Sequence, residues 1–231
     1  MPNLTRREYQ DELSRLRRLL AEMGELTVRQ LGIAFDAAEQ ALPRLAAQVL
    51  EREPEADRLE HEVDGLVVRL IALQQPVARD LREILAALRI ANELERICDH
   101  AANMSTRLIA LDARLVEPAR SLVKLGRFST AMVQDAMRAF ATSDDALAQD
   151  VWGRDRQLDE MYTAFYRELI TYMMEDVRRI AQGAHILFIA RDIERVGDRA
   201  TNIAEMSIYR TRGVPLGEER PKADATKTLT L

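Results

Sequence analysis

The stretch Glu93-Leu94-Glu95-Arg96-Ile97-Cys98-Asp99-His100-Ala101-Ala102-Asn103-Met104 returns, 99 residues later, as Asp192-Ile193-Glu194-Arg195-Val196-Gly197-Asp198-Arg199-Ala200-Thr201-Asn202-Ile203. Five of the twelve positions are identical, and Glu95/Glu194, Asp99/Asp198 and Asn103/Asn202 recur at intervals of four. On an α-helix that interval stacks side chains on one face. The chain therefore reads as a doubled unit, each half carrying a face of oxygen donors that needs something positive against it.

The repeat extends backwards. Val49-Leu50-Glu51-Arg52-Glu53 aligns with Val151-Trp152-Gly153-Arg154-Asp155 at an offset of 102, so Glu53 and Asp57 correspond to Asp155 and Asp159. Apolar residues at three-four spacing (Leu13, Leu16, Leu20, Met23) predict a long first helix. Pro43 and Pro54 punctuate the segment after it. A second helix is expected over roughly 55–73, ended by Gln74-Gln75-Pro76, and a third over about 77–111, bounded by Glu117-Pro118. The cycle restarts near Ala119, breaks near Ser143-Asp144-Asp145, and continues as one helix to about Glu175 and a last one to Arg212. The expected fold is all-α: two tandem, pseudo-symmetric three-helix bundles, six long helices in all, over residues 1–114 and 115–213. The polar tail, 214–231, is expected to be disordered.

Composition agrees and excludes several classes of function. Only nine glycines and seven prolines interrupt a chain rich in Ala, Leu, Arg and Glu, which favours helix. A net charge of −5 argues against a nucleic-acid partner. The single cysteine, Cys98, leaves no internal disulfide and fits a reducing compartment. No apolar stretch follows the N-terminal arginines, and no apolar run is long enough to span a bilayer. The expectation is a cytoplasmic protein. Without a Gly-rich phosphate loop, a Ser-His-Asp set or a Cys-His pair, nothing points to an enzyme.

The third helix has a seam of alternating threes and fours, Leu81, Ile84, Leu88, Ala91, Glu95, Cys98, Ala102, Ser105, Ile109. Its counterpart is Ile180, Gly183, Leu187, Ala190, Glu194, Gly197, Thr201, Ala204, Ile208. In both, the one charged residue sits mid-seam, where a bundle takes an apolar knob. A buried, unpaired carboxylate there would cost several kcal/mol or shift its pKa until neutral. Two suppliers of counter-charge stay open. Arg96, Arg191, Arg195 and Arg199 lie close in sequence and could pair with the acids, leaving a metal-free structural adaptor. Alternatively, Glu53/Asp57 and Asp155/Asp159 could face the seam acids and form all-oxygen sites suited to a hard cation. Glu60 and Asp64 extend the first stripe, but Tyr162 and Tyr166 stand at the corresponding places, which marks them as a solvated edge and accessory donors at most. His61, His100 and His185 read as surface, pairing or structural residues. A carboxylate-bridged di-iron oxidase needs Glu-x-x-His, and none of the three has Glu three residues before it.

With these residues in view, the chain resembles the PhoU family, the phosphate-specific transport system accessory proteins. The resemblance rests on the doubled E(D)xxxD signature, Glu95-Arg96-Ile97-Cys98-Asp99 and Glu194-Arg195-Val196-Gly197-Asp198, with the lead-ins Gln75-Pro76-Val77-Ala78-Arg79-Asp80-Leu81-Arg82 and Thr171-Tyr172-Met173-Met174-Glu175-Asp176. It implies two tandem three-helix bundles and a regulator rather than a catalyst. It implies a homodimer and contact with the ATP-binding subunit of the phosphate ABC transporter and with the phosphate sensor histidine kinase, reaching the membrane only through partners. It further implies a multinuclear cluster of iron, or of manganese or magnesium. Carried over residue by residue, the ligands fall on Glu53/Asp57 with Glu95/Asp99, and on Asp155/Asp159 with Glu194/Asp198, with Asn103 and Asn202 as accessory donors. This chain departs from the pattern at three places. Pro54 disfavours helical geometry at Glu53 and points to an N-cap there. Cys98 stands where glycine is usual and reads as a small buried hydrophobe. Val177 replaces a usual proline. The second half is thus the better candidate for an intact site.

Overall fold

Proline positions and helix caps divide the chain much as the pattern predicts. The computed structural model describes residues 6–111 and 119–214, with the backbone alone for residues 119 and 120. The Glu117-Pro118 boundary and nearly all of the tail lie outside the described residues. Seven α-helices and one 3₁₀ turn are described: α1 (Arg6–Gln40), α2 (Pro43–Glu51), α3 (Glu53–Gln74), α4 (Ala78–Ala110), α5 (Ala119–Thr142), α6 (Asp145–Glu175), the turn Val177–Arg179, and α7 (Ile180–Arg212). Six are long, and the two halves are all-α as expected. The short α2 is an addition to the expected set. With α3 it occupies the place of α6: α2 begins at Pro43 and α6 at Asp145, 102 residues on.

The caps explain the breaks. Pro43 and Pro54 sit in the first turns of α2 and α3, where a missing N–H costs no helical hydrogen bond. Glu53 is the first helical residue of α3 and Arg52 is the cap, so Pro54 does not expel Glu53 from the helix. Asp144 caps α6 by accepting from the Leu147 amide at 3.0 Å. Gly213, at φ 78°, ends α7 in the left-handed conformation, its N–H donating to the Tyr209 carbonyl at 2.9 Å.

α4 and α7 run side by side through the middle of the molecule. α1, α2 and α3 pack on α4, α5 and α6 pack on α7, and α1 also packs on α5. One apolar core therefore continues from Tyr9 on α1 to Ile208 on α7 through both repeats. At the α1–α5 crossing, a Cβ on Gly126 would fall 2.2 Å from the Phe35 ring, so the aromatic ring rests directly on the α5 backbone. Each Leu or Ile fully buried in this core contributes about 1.5–3 kcal/mol, and the continuity couples the halves.

The central position of α4 and α7 also corrects the seam. Their fully buried residues include Leu94 and Ile97 on α4 and Ile193 and Val196 on α7, whereas Glu95, Glu194 and Leu88 are half-buried and Ile109 and Ile180 are exposed. A helix packed on several sides presents a wide apolar face instead of a narrow seam. Glu95 and Glu194 fall at its margin, wetter than a mid-core knob.

Candidate functional site

The doubled phrase is the contact between α4 and α7. Arg199 Nη1 donates to Glu93 Oε2 at 3.2 Å, and His100 Nδ1 lies 3.1 Å from Asp192 Oδ1. Glu93 corresponds to Asp192 in the repeat, and His100 to Arg199, so the same contact is made twice in reciprocal fashion. The numbers rise on one helix as they fall on the other, which makes the two helices antiparallel about a local pseudo-twofold axis. Asn202 Nδ2 adds a second donor to Glu93, at 3.1 Å. A cavity of about 440 Å³ opens beside this axis. Its lining includes three repeat-related pairs, Arg96 with Arg195, Asp99 with Asp198, and His100 with Arg199, together with Asn103.

On the first half, α3 brings Asp57 and Glu60 toward Glu95 and Asp99 on α4. Burial, then repulsion from Asp99, Glu60 and Asp57, pushes the Glu95 carboxyl from its ordinary 4.5 up to about 7. Asn92 Nδ2 donates to Glu60 Oε1 at 3.1 Å, an exposed bond that ties Glu60 to α4. Glu60 and Asp64 also line a cavity of about 400 Å³ with Glu93, Asn202 and Glu205. Glu53 stands one helical turn before Asp57, half-buried, while Asp57 itself is exposed.

The second half is drier. Asp155 and Asp159 on α6 are only 2% and 5% exposed, and Glu194 and Asp198 on α7 are half-buried. Thr201 Oγ1 lies 3.3 Å from Asp155 Oδ1, tying α6 to α7. Gly197 permits this approach, because a Cβ there would fall 2.0 Å from Leu158 Cδ2. At the matching place on α4, Cys98 is buried, its Sγ 3.4 Å from Thr27 Oγ1 on α1, and burial pushes the thiol up to about 12.

The donors suit a hard cation in kind, being carboxylate and amide oxygens. On the α3–α4 face they are also crowded enough to repel, as the raised Glu95 shows, and a cation would relieve that. Among the described residues, the side chains as placed form no group of three or more His, Cys, Asp or Glu that could hold a metal ion.

Comparison with known proteins follows the same duplication. The PhoU domain profile matches residues 20–108 and again 122–207. The phosphate-specific transport system accessory protein PhoU homolog of Xylella fastidiosa is 42% identical over 226 residues, 97% of this chain and 94% of that one. The chain belongs to the PhoU family. The PhoU homolog of Caulobacter vibrioides is 38% identical over 97% of this chain and 98% of its own length. Among solved structures, the crystal structure of PhoU from Pseudomonas aeruginosa superposes with a TM-score of 0.86 at 38% identity, covering 89% of this chain and all (100%) of that one. The phosphate transport system regulatory protein PhoU from Streptococcus pneumoniae superposes with a TM-score of 0.83 at 26% identity, covering 91% and 100%. No helix among the described residues is long and apolar enough to cross a membrane.

The four-residue spacing points to Glu95, Asp99, Glu194 and Asp198 and not to Glu93 and Asp192, the first letters of the same phrase. The signal was present: an acid seven residues before His100, and another seven before Arg199, places each pair on one helix face. His61 is exposed, its Nδ1 2.7 Å from the Asp57 carbonyl, and that contact raises its pKa.

Proposed function

We propose that this protein is a cytoplasmic negative regulator of phosphate uptake and of the phosphate-starvation response. It acts by contact with the ATP-binding subunit of a phosphate ABC transporter, with the sensor histidine kinase, or with both, as a homodimer. The observation that carries the reading is a match along nearly the whole chain, 97%, to proteins named as phosphate transport accessory proteins, in a fold made of packed helices. A deletion strain should express phosphate-uptake genes when phosphate is plentiful. Normal repression in that strain would sink the reading.

Within the same reading, the paired acids Glu53, Asp57, Glu95 and Asp99, and Asp155, Asp159, Glu194 and Asp198, hold divalent or trivalent metal that braces the α3–α4 and α6–α7 contacts. Crowding around Glu95 supports this for the first half. A second reading, a metal-free adaptor, draws support from Arg96, Arg195 and Arg199 around Asp99 and Asp198. Elemental analysis of protein purified without chelator separates them. Stoichiometric iron, manganese or magnesium, lost in Glu194→Ala with Asp198→Ala, supports the braced scaffold. Metal-free protein whose stability the double variant leaves unchanged would sink the metal bracing.

A further inference from the structure

A second charged site lies about 18 Å along α4 from Glu95, at 1.5 Å per residue from Glu83. Here the start of α4, the end of α7, α1 and α5 meet around a cavity of about 560 Å³. Its lining includes apolar Leu20, Val28, Met137 and Phe140. It also carries four guanidiniums, from Arg17, Arg79, Arg138 and Arg210, and two carboxylates, from Glu25 and Glu83. Arg17 already grips Glu83 with two hydrogen bonds, of 2.6 and 3.1 Å, and Arg138 pairs with Asp135 at 3.0 Å.

Arg79 is exposed to solvent, whereas Arg210 is buried. It is 7% exposed, its guanidinium lies 4.3 Å over the Phe140 ring, and Nη2 donates to Ser143 Oγ at 2.6 Å. Among the described residues, no carboxylate stands within ion-pair distance of it. A guanidinium carries five donors and cannot shed its charge, so burying one without a counter-ion is costly. Burial lowers its pKa, helped by repulsion from Arg17 and Arg79, although Glu83 and Asp145 oppose this from further off. The duplicated plan does not require the residue, because its counterpart 99 positions earlier is Leu111. The cavity volume lies within the range of small-ligand sites, and apolar side chains with a few convergent polar groups are their usual lining.

We propose that this cavity binds a small organic anion, a carboxylate or phosphate monoester with an apolar body. The charged end pairs with Arg210, and the body lies on Leu20, Val28 and Met137. Such a ligand touches α1 and α4 of one repeat and α5 and α7 of the other, and so clamps the two bundles together. The site is independent of the acidic faces and of the regulatory reading above.

Calorimetric titration of the full chain with phenyl phosphate and with benzoate tests this, with inorganic phosphate and benzyl alcohol as controls. Saturable binding of at least one organic anion, tighter than either control, is expected, and the tighter of the two probes tells phosphate from carboxylate. Arg210→Met should weaken it roughly 10- to 150-fold, the worth of one hydrogen bond to a charged group. Ala21→Trp, at an exposed position on the cavity wall, should block the site while leaving the helical circular dichroism and melting temperature as in the parent. No saturation by either anion at millimolar concentration, equal binding of inorganic phosphate, or unchanged affinity in Ala21→Trp would each overturn the proposal. If Arg210→Met fails to fold, Ala21→Trp alone decides.

Discussion

The two repeats solve the same packing problem with different second helices. In the second half, α6 is one continuous helix from Asp145 to Glu175, and it carries Asp155 and Asp159 into a buried position against α7. In the first half, the same length of chain is broken at Arg52 into α2 and α3, and Asp57 is left exposed while Glu60 turns toward α4. The acids are duplicated in sequence, yet their solvation is not. The lesson is that a repeat preserves which residue types face a neighbour, while helix continuity decides how dry that face is.

The largest difference should appear where the halves meet. Arg199 to Glu93 and His100 to Asp192 are equivalent contacts, but Arg199 is always charged and Glu93 also holds Asn202. Removing Glu93 leaves a partly buried guanidinium and an amide without their acceptor. Glu93→Ala should cost about 3 kcal/mol, and Asp192→Ala about 1–2 kcal/mol, because Glu93 accepts from two donors and Asp192 contacts one. Urea unfolding of the two variants measures both. Equal losses would mean that the pseudo-twofold contacts are energetically as well as geometrically alike.

A smaller contrast lies at Gly197 and Cys98. Leu158 fills the space above Gly197 and is itself only 1% exposed, so it has nowhere to retreat from an added methyl group. Gly197→Ala should lose about 2 kcal/mol by overpacking, net of the gain in helix propensity. Cys98→Ala removes one buried sulfur and should lose about 1 kcal/mol. If Gly197→Ala were stabilising, the close α6–α7 approach would not be what glycine is needed for.

The pH dependence of the halves should differ as well. Glu95 titrates near 4.5 when unfolded and near 7 when folded, so between those values the folded state holds the extra proton. Stability therefore falls as pH rises through that window, and the penalty is complete above about pH 7. Glu95→Gln should remove it, raising stability at pH 8 by roughly 1 kcal/mol, since solvent on this half-exposed face screens most of the repulsion. At pH 4 the substitution should do nothing. A divalent ion at the same face would abolish the gain, because it stabilises the charged form that Gln replaces.

Much of this was legible in the sequence. Three-four spacing and proline positions placed the long helices to within a few residues, because capping and φ restriction are local chemistry that a sequence displays directly. The four-residue interval likewise puts Glu95 with Asp99, and Glu194 with Asp198, on one side of a helix. Less visible were features that depend on a third element. A three-four seam puts Glu95 in the core of its own bundle, whereas α4 also packs on α7 of the other repeat and its apolar face is wider. Arg210 could not be read as buried without knowing that the end of α7 lies against Phe140 on α5. Tertiary packing sets both, and no local rule encodes it.

The smallest effect on stability bears most directly on the comparison between the halves. Pro54 in the second position of α3 supplies no N–H toward the end of α2, and it restricts Glu53 before it. The break also has its own bonds: the Arg52 amide donates to the Val49 carbonyl at 3.2 Å, and Gln30 Nε2 donates to the Arg52 carbonyl at 3.3 Å. Pro54→Ala gives up a stiffer unfolded chain but restores a helical donor, so the net change should stay within about 0.5 kcal/mol. Its signature should be kinetic, as slower hydrogen exchange of the amides from Arg52 to Glu55 when α2 and α3 fuse. Fusion would also move Glu53 from the first turn of α3 into the interior of one long helix, as Asp155 is on α6. Unchanged exchange across the break would show that Gln30 holds it, and that the asymmetry between the repeats is fixed from α1 instead of by the proline.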